Sequence, residues 1–204
     1  MAKPPFSPLF TSKAFSIPTI SGISDKTMAT HMKLYEGYVK HANLILEKIE
    51  AYSKDSEANA YALGELQRRF AFEFDGMRNH EYYFTLLEDG PKSLSNSSAL
   101  AQALAAEWGS VEEFITRFKA IALTRGIGWA ILYYDRTTDR LLTQWVDEQH
   151  LGHLTGLSVI LPLDVWEHAF LLDYAPAEKA KYVEAYLSAI NWERANEWFE
   201  NARA

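Results

Sequence analysis

Asp164-Val165-Trp166-Glu167-His168 places an acid and an imidazole four residues apart, with a second acid between them, inside the apolar stretch 157–172. Charged groups in such a stretch are expensive unless they are paired or bind a metal. On a turn of helix, positions i and i+4 face the same way, so the spacing predicts a helical turn on which Asp164 and His168 converge. The chain has six histidines and no cysteine. Disulfides, thiolate metal sites and thiol catalysis are thereby excluded, and His, Asp or Glu must hold any metal. His31 follows Met28 by three residues and precedes Tyr35 by four, while His80 lies among aromatic residues. Each alone reads as a core histidine. Together with Asp164 and His168 they form a set of three nitrogens and one oxygen, which suits iron or manganese and leaves a position for solvent. A dinuclear carboxylate bundle needs paired Glu-x-x-His motifs, and the sequence contains none. Asp147-x-x-His150-x-x-His153 mimics a second metal site. On a strand-to-loop segment that spacing fixes no common face, so His150 and His153 read as polar loop or interface residues.

The elements that must position these residues follow from periodicity. Ser24-Asp25-Lys26 opens a helix whose apolar residues Met28, Met32, Tyr35, Tyr38, Val39, Ala42, Ile45 and Ile49 recur mostly at spacings of three and four. A polar break at residues 53–58 separates it from a second helix over residues 59–87. Two long helices with a short connection make an antiparallel hairpin. Asp89-Gly90-Pro91 and the serines that follow mark a boundary. Helices are predicted over residues 98–108 and 111–124, the second with Ser110 as N-cap and Glu112 and Glu113 in its first turn. Strands are predicted over residues 129–134, 141–146 and 157–163, and helix again from residue 166 and over residues 179–199. The fold class is therefore α+β. A long N-terminal helical hairpin with its arm (residues 1–92) precedes a mixed C-terminal domain (residues 93–204), in which helices flank a three-stranded antiparallel sheet.

Composition narrows the function. The net charge is −7, with no basic tract, so a nucleic-acid partner is not expected. No apolar run is long enough to span a membrane, and residues 1–20 lack the apolar core of a signal peptide. The expectation is a cytoplasmic protein with an extended arm rich in Pro and Ser. An acidic protein that acts on an anion needs a local cationic patch near the site.

Several motifs, in order, resemble one family. Asp164-Val-Trp-Glu-His168-Ala169 is the most specific of them. Thr27-Met28-Ala29-Thr30-His31 with Tyr38-Val39 and Asn43, Asn79-His80 with Tyr82-Tyr83-Phe84, Gly126-Ile-Gly128-Trp129-Ala130, and Asn191-Trp192 complete the pattern. Over roughly residues 20–200 the chain resembles the iron/manganese superoxide dismutases. The resemblance implies His31, His80, Asp164 and His168 as ligands of one Mn or Fe ion per subunit, with solvent as fifth ligand. It implies superoxide as substrate, disproportionated to O2 and H2O2 by ping-pong redox cycling. It also implies a homodimer, or a dimer of dimers, in which Glu167 of one subunit bonds the partner subunit's His168. Trp129, Trp166, Tyr83 and Phe84 would line the site. Lys179, three residues before Tyr182, would join Lys33 in the cationic patch.

The family's Gln or His beside the solvent ligand has two known origins. The position on the second helix is Gly76 here, which cannot donate, and the later position falls on Gln149, with His150 as its neighbouring alternative. Gly76 with a later Gln resembles the manganese pattern, so the reading leans to Mn. His31 and Tyr38 are seven positions apart, where the family usually has eight. Seven is a good helical repeat, so a plain helix is expected, with Tyr38 as the gateway phenol and Tyr35 as its rival. The family's gateway His is replaced by Leu34 or Tyr35, and its cross-dimer Tyr by Leu171. That double loss admits a second reading, a weakened or non-catalytic relative serving as a binding or scaffold subunit. Retention of all four ligand positions favours the enzyme.

Overall fold

The computed structural model describes residues 7–204. Helix α1, Asp25–Tyr52, starts where the Ser24 hydroxyl accepts the N–H of Thr27. It runs without a bulge, so His31 and Tyr38 lie on one face as their spacing requires. Helix α2, Ala60–Thr85, returns antiparallel after a single 3-10 turn at Ser53–Asp55. The two pack along their length and bury Tyr35, Val39, Ala42, Met77, Tyr83 and Phe84. The predicted N-terminal arm is extended from residue 7 to the start of α1, apart from an isolated bridge between Ile20 and Ile23. Its first six residues lie outside the described residues. Backbone N–H groups of Leu9 and Phe10 donate to Asn43 Oδ1, and Phe15 packs its ring on Tyr35 and Phe84.

Helices α3, Ala99–Trp108, and α4, Val111–Ala122, follow with serine caps at Ser98 and Ser110. The sheet then forms from β1, Gly128–Asp135, β2, Arg140–Asp147, and β3, Ser158–Asp164, all antiparallel in the order β2-β1-β3. The central strand β1 is buried on both faces, which explains its nearly unbroken apolar run. Gly128 starts it at φ +154°, and a Cβ there would lie 2.0 Å from the carbonyl oxygen of Val146. Only glycine allows this closeness between β1 and β2.

The C-terminal third differs from expectation in two places. Asp164 is the last residue of β3, and only a 3-10 turn, Glu167–Ala169, follows. The helical turn predicted for the pentapeptide is therefore a strand end plus a tight turn, a conformation that Asp164 supports by accepting the N–H of Trp166 at Oδ1, 2.8 Å away. The single helix expected over residues 179–199 is two, α5, Lys179–Ala189, and α6, Trp192–Arg203. They divide at Asn191, whose side chain caps α6 through the N–H of Arg194. Among the described residues no helix is long and apolar enough to cross a membrane.

Candidate metal centre

Four elements converge on one point. His31 comes from α1, His80 from α2, Asp164 from the end of β3 and His168 from the turn beyond it. Their four candidate ligand atoms all lie within 4.8 Å of one another, and this is the cluster of its kind among the described residues. His31 Nε2 and His168 Nε2 are 3.0 and 3.1 Å from Asp164 Oδ2, and His80 Nε2 is 3.4 Å from the same oxygen. Trp166 occupies Oδ1, so Oδ2 alone faces the imidazoles.

The tautomers suit a cation. His80 Nδ1 contacts the carbonyl oxygen of Gly76 at 2.5 Å, and a carbonyl only accepts, so Nδ1 carries the hydrogen. Nε2 then presents a lone pair toward the carboxylate, and it is buried with no hydrogen-bond partner. A lone pair facing a carboxylate oxygen is repulsive until a cation lies between them. Burial lowers the pKa of His31, against the pull of Asp164, and lowers that of His80 further, aided by the charge of His31. Burial opposes ionisation of Asp164, but His168 and His31 outweigh it and hold the carboxyl far below the usual carboxylate range. The site therefore offers lone pairs and one negative charge, the donor set a divalent or trivalent redox metal takes.

Buried tyrosines fix the strand end from behind. Tyr182 of α5 donates to the carbonyl of Asp164 at 2.7 Å, and its oxygen contacts that of Tyr83 at 3.1 Å. Tyr83 stacks on Tyr186, which donates to the carbonyl of Pro162. Nothing in the spacing of Tyr182 and Tyr186 announced this anchoring role, because it depends on α5 lying against β3. Trp129 and Tyr38 each sit 5.1 Å from the His80 ring, and Trp166 stacks on His168 at 5.6 Å. Tyr83 and Phe84 each lie 5.0 Å from the His31 ring.

Gln149 is fully buried. The Trp129 indole N–H can only donate, and it meets Oε1 at 2.9 Å. That fixes the amide, so Nε2 points to the Tyr38 hydroxyl, also 2.9 Å away. Tyr35 instead accepts the N–H of Lys13 and donates to Glu81, away from the cluster. His150 edges onto Phe72. Gly76 lies against Tyr38, where a Cβ would fall 2.7 Å from the phenol ring. Lys179 donates to the carbonyl of Thr124 and lies over Trp145. It shares a surface groove with Glu167, Ile127 and Phe170. Lys33, Leu34, Glu167 and Leu171 are exposed. His153, read from the sequence as a loop or interface residue, lies in the loop before β3, is half-buried and contacts the main chain of Gln149.

Residues 96–198 match the model of the iron/manganese superoxide dismutases, C-terminal domain. An iron superoxide dismutase of Cupriavidus metallidurans is 35% identical over 179 residues, covering 86% of this chain and 88% of its own. An iron superoxide dismutase of Aquifex aeolicus is 34% identical over 188 residues, covering 90% and 87%. A manganese superoxide dismutase of Nocardia asteroides is 35% identical over 175 residues, covering 84% and 82%. The chain belongs to the iron/manganese superoxide dismutase family. The cluster of His31, His80, Asp164 and His168 is its metal centre, for one iron or manganese ion per chain. The manganese lean drawn from Gly76 and Gln149 gains no support from these relatives, which include both iron and manganese enzymes.

Proposed function

We propose that this superoxide dismutase uses Gln149 and Tyr38 as the polar pair beside its metal, and that it works as a homodimer in which Glu167 reaches the partner subunit's His168. The chemistry an iron or manganese ion supplies there is the redox exchange: one superoxide gives up an electron and leaves as O2, and a second takes it up and leaves, with two protons, as H2O2. The chain's own residues must hold that ion, exclude bulk water and place hydrogen-bond donors around the substrate.

The observation that carries the assignment is the fixed amide of Gln149. With Oε1 taken by Trp129, one N–H is committed to Tyr38 and the second remains to donate at the centre. Tyr38 accepts that bond, which leaves its own hydrogen free to donate. Burial, followed by the negative charges of Asp164 and Glu73, raises the phenol well above its usual range, so it stays protonated throughout physiological pH. Tyr38 is thus a neutral donor beside the His80 ring.

Support for the dimer comes from the His168 turn. His168 is 18% exposed while the other three ligands are sealed. The carboxylate of Glu167 has no partner among the described residues, and Leu171 and Leu172 on the same turn are 40% and 50% exposed. A carboxylate bonded to the far nitrogen of a ligand imidazole fixes its orientation and raises its basicity. An apolar contact of Leu34 and Leu171 in place of a polar gateway would be nearly neutral for stability.

Gln149→Leu tests the catalytic assignment. The variant should keep one Fe or Mn per chain by metal analysis and lose activity by about 10–100-fold. Unchanged activity at full metal content would remove Gln149 and Tyr38 from the reaction.

A further inference from the structure

Behind Gln149 lies a buried polar chain that metal ligation does not use. Gln149 follows Glu148, whose φ of +52° lies in the left-handed region. A non-glycine residue there is strained and persists only when its surroundings hold it. The N–H of Glu148 donates to the Ile127 carbonyl and its own carbonyl accepts the Trp166 indole N–H, and further contacts meet at the main-chain oxygen of Gln149. His153 Nε2 lies 3.1 Å from it, and Asn79 Nδ2 donates to it from 3.1 Å. Asn79 Nδ2 and His153 Nε2 also lie 3.2 Å from each other; with the hydrogen on Nε2 the ring donates to the oxygen, which only accepts. Burial keeps the His153 imidazole below its ordinary range. In that tautomer Nδ1 accepts from the Tyr133 hydroxyl on β1, 2.5 Å away. Tyr133 itself is 1% exposed. Tyr133, His153, the Gln149 main-chain oxygen and Gln149 Nε2 form one continuous buried chain that ends at Tyr38.

We propose that His153, locked by Tyr133, is a positioning residue that fixes the Gln149 backbone and thereby aims its amide at Tyr38 and the metal centre. The inference rests on the role proposed above for Gln149. His153 touches neither ligand nor substrate and acts only through that backbone oxygen. Glu148 supplies the strain that would let the loop relax, and His153 supplies a directed bond from the rigid central strand that prevents it. Small displacements matter here, because a donor misplaced by about 1 Å can lower a rate by about 100-fold.

The test compares His153→Leu, which removes the donor, with His153→Gln, whose amide can still donate from a similar place. Two readouts are used, the activity of the metal-loaded protein and the indole N–H resonance of Trp129 in the metal-free protein. Trp129 donates to Gln149 Oε1, so its signal follows the amide, and the remaining indole signals serve as controls. His153→Leu should shift the Trp129 signal and lower activity by about 3–10-fold, less than the about 10–100-fold expected for loss of a residue that contacts the metal's own shell. His153→Gln should restore most of both. An unmoved Trp129 signal in His153→Leu, or a His153→Gln variant no better than His153→Leu, overturns the proposal. Gln149→Leu separates the layers. If it loses activity while His153→Leu matches the parent protein, the positioning role alone fails. If Gln149→Leu keeps full activity, the role of Gln149 fails and the positioning role falls with it.

Discussion

The two walls of the metal centre are built differently. His31, His80 and Asp164 form a sealed wall, fully buried and braced within the subunit by Gly76, Trp166, Tyr182 and the aromatic residues around them. His168 stands on an open wall, a 3-10 turn that also exposes Glu167, Leu171 and Leu172. The chain thus holds His80 and Asp164 with its own hydrogen bonds, packs His31 among aromatic rings with its Nδ1 unpartnered, and leaves the fourth ligand partly exposed. A site half-finished in this way would link metal retention to assembly, because the open wall gains its last hydrogen bonds only when another surface covers it.

The largest expected effect breaks the sealed wall. Asp164→Asn removes the negative charge on which three imidazoles converge, and metal analysis should show almost no iron or manganese at any protein concentration. Activity should fall by more than the about 100-fold that loss of a supporting residue costs. Retention of a full complement of metal would mean that the carboxylate is not a ligand. An intermediate effect is expected on the open wall. Glu167→Ala should loosen the proposed dimer in sedimentation and weaken metal retention by about 10-fold, with partial recovery at high protein concentration. Metal loss that ignores concentration would place Glu167 within its own subunit and remove the contrast between the walls.

The smallest effect compares two carboxylates. Asp164 is held low by the imidazoles around it, whereas burial alone raises Asp75 to about 6. Among the described residues Asp75 has no hydrogen-bond or ion-pair partner. Its folded form keeps a proton that the unfolded chain has already released above its ordinary value of 3.8. Stability therefore falls as pH rises from 3.8 to about 6 and is flat above that. Asp75→Asn should stabilise the metal-free protein by about 1 kcal/mol at neutral pH, after allowance for partial exposure, and by nothing near pH 4. Urea unfolding at both pH values measures this, and an equal gain at both would show that the carboxyl ionises freely in the folded state.

Residue chemistry made much of the site legible. Absence of cysteine limited the ligands to His, Asp and Glu, and the helical repeat placed His31 and Tyr38 on one face of an unbroken α1. The alternating and apolar runs marked all three strands. Legibility failed at Asp164–His168, because a spacing of four suits a helical turn and equally a strand end followed by a 3-10 turn. The side-chain bond from Asp164 to the N–H of Trp166 is local, yet its outcome depends on β3 pairing with β1 as far as Trp129. The partners of His153 were not legible for a related reason. Its spacing from Asp147 and His150 suggested only a decoy, and its partner Tyr133 lies on a different strand.

The sequence by itself determined the donor types, the two long helices, the strand pattern and the family, since these depend on residue chemistry and short-range periodicity. Tertiary structure decided which atoms meet. His31 reaches Asp164 across 133 positions and Tyr38 reaches Gln149 across 111. No local period encodes such distances; they arise from hairpin, sheet and α5 packing around one core. The same packing brings Gln149 Nε2 to Tyr38 and turns Tyr35 to Lys13 and Glu81, because a hydrogen bond needs its partner within about 3 Å and only the folded chain sets that distance.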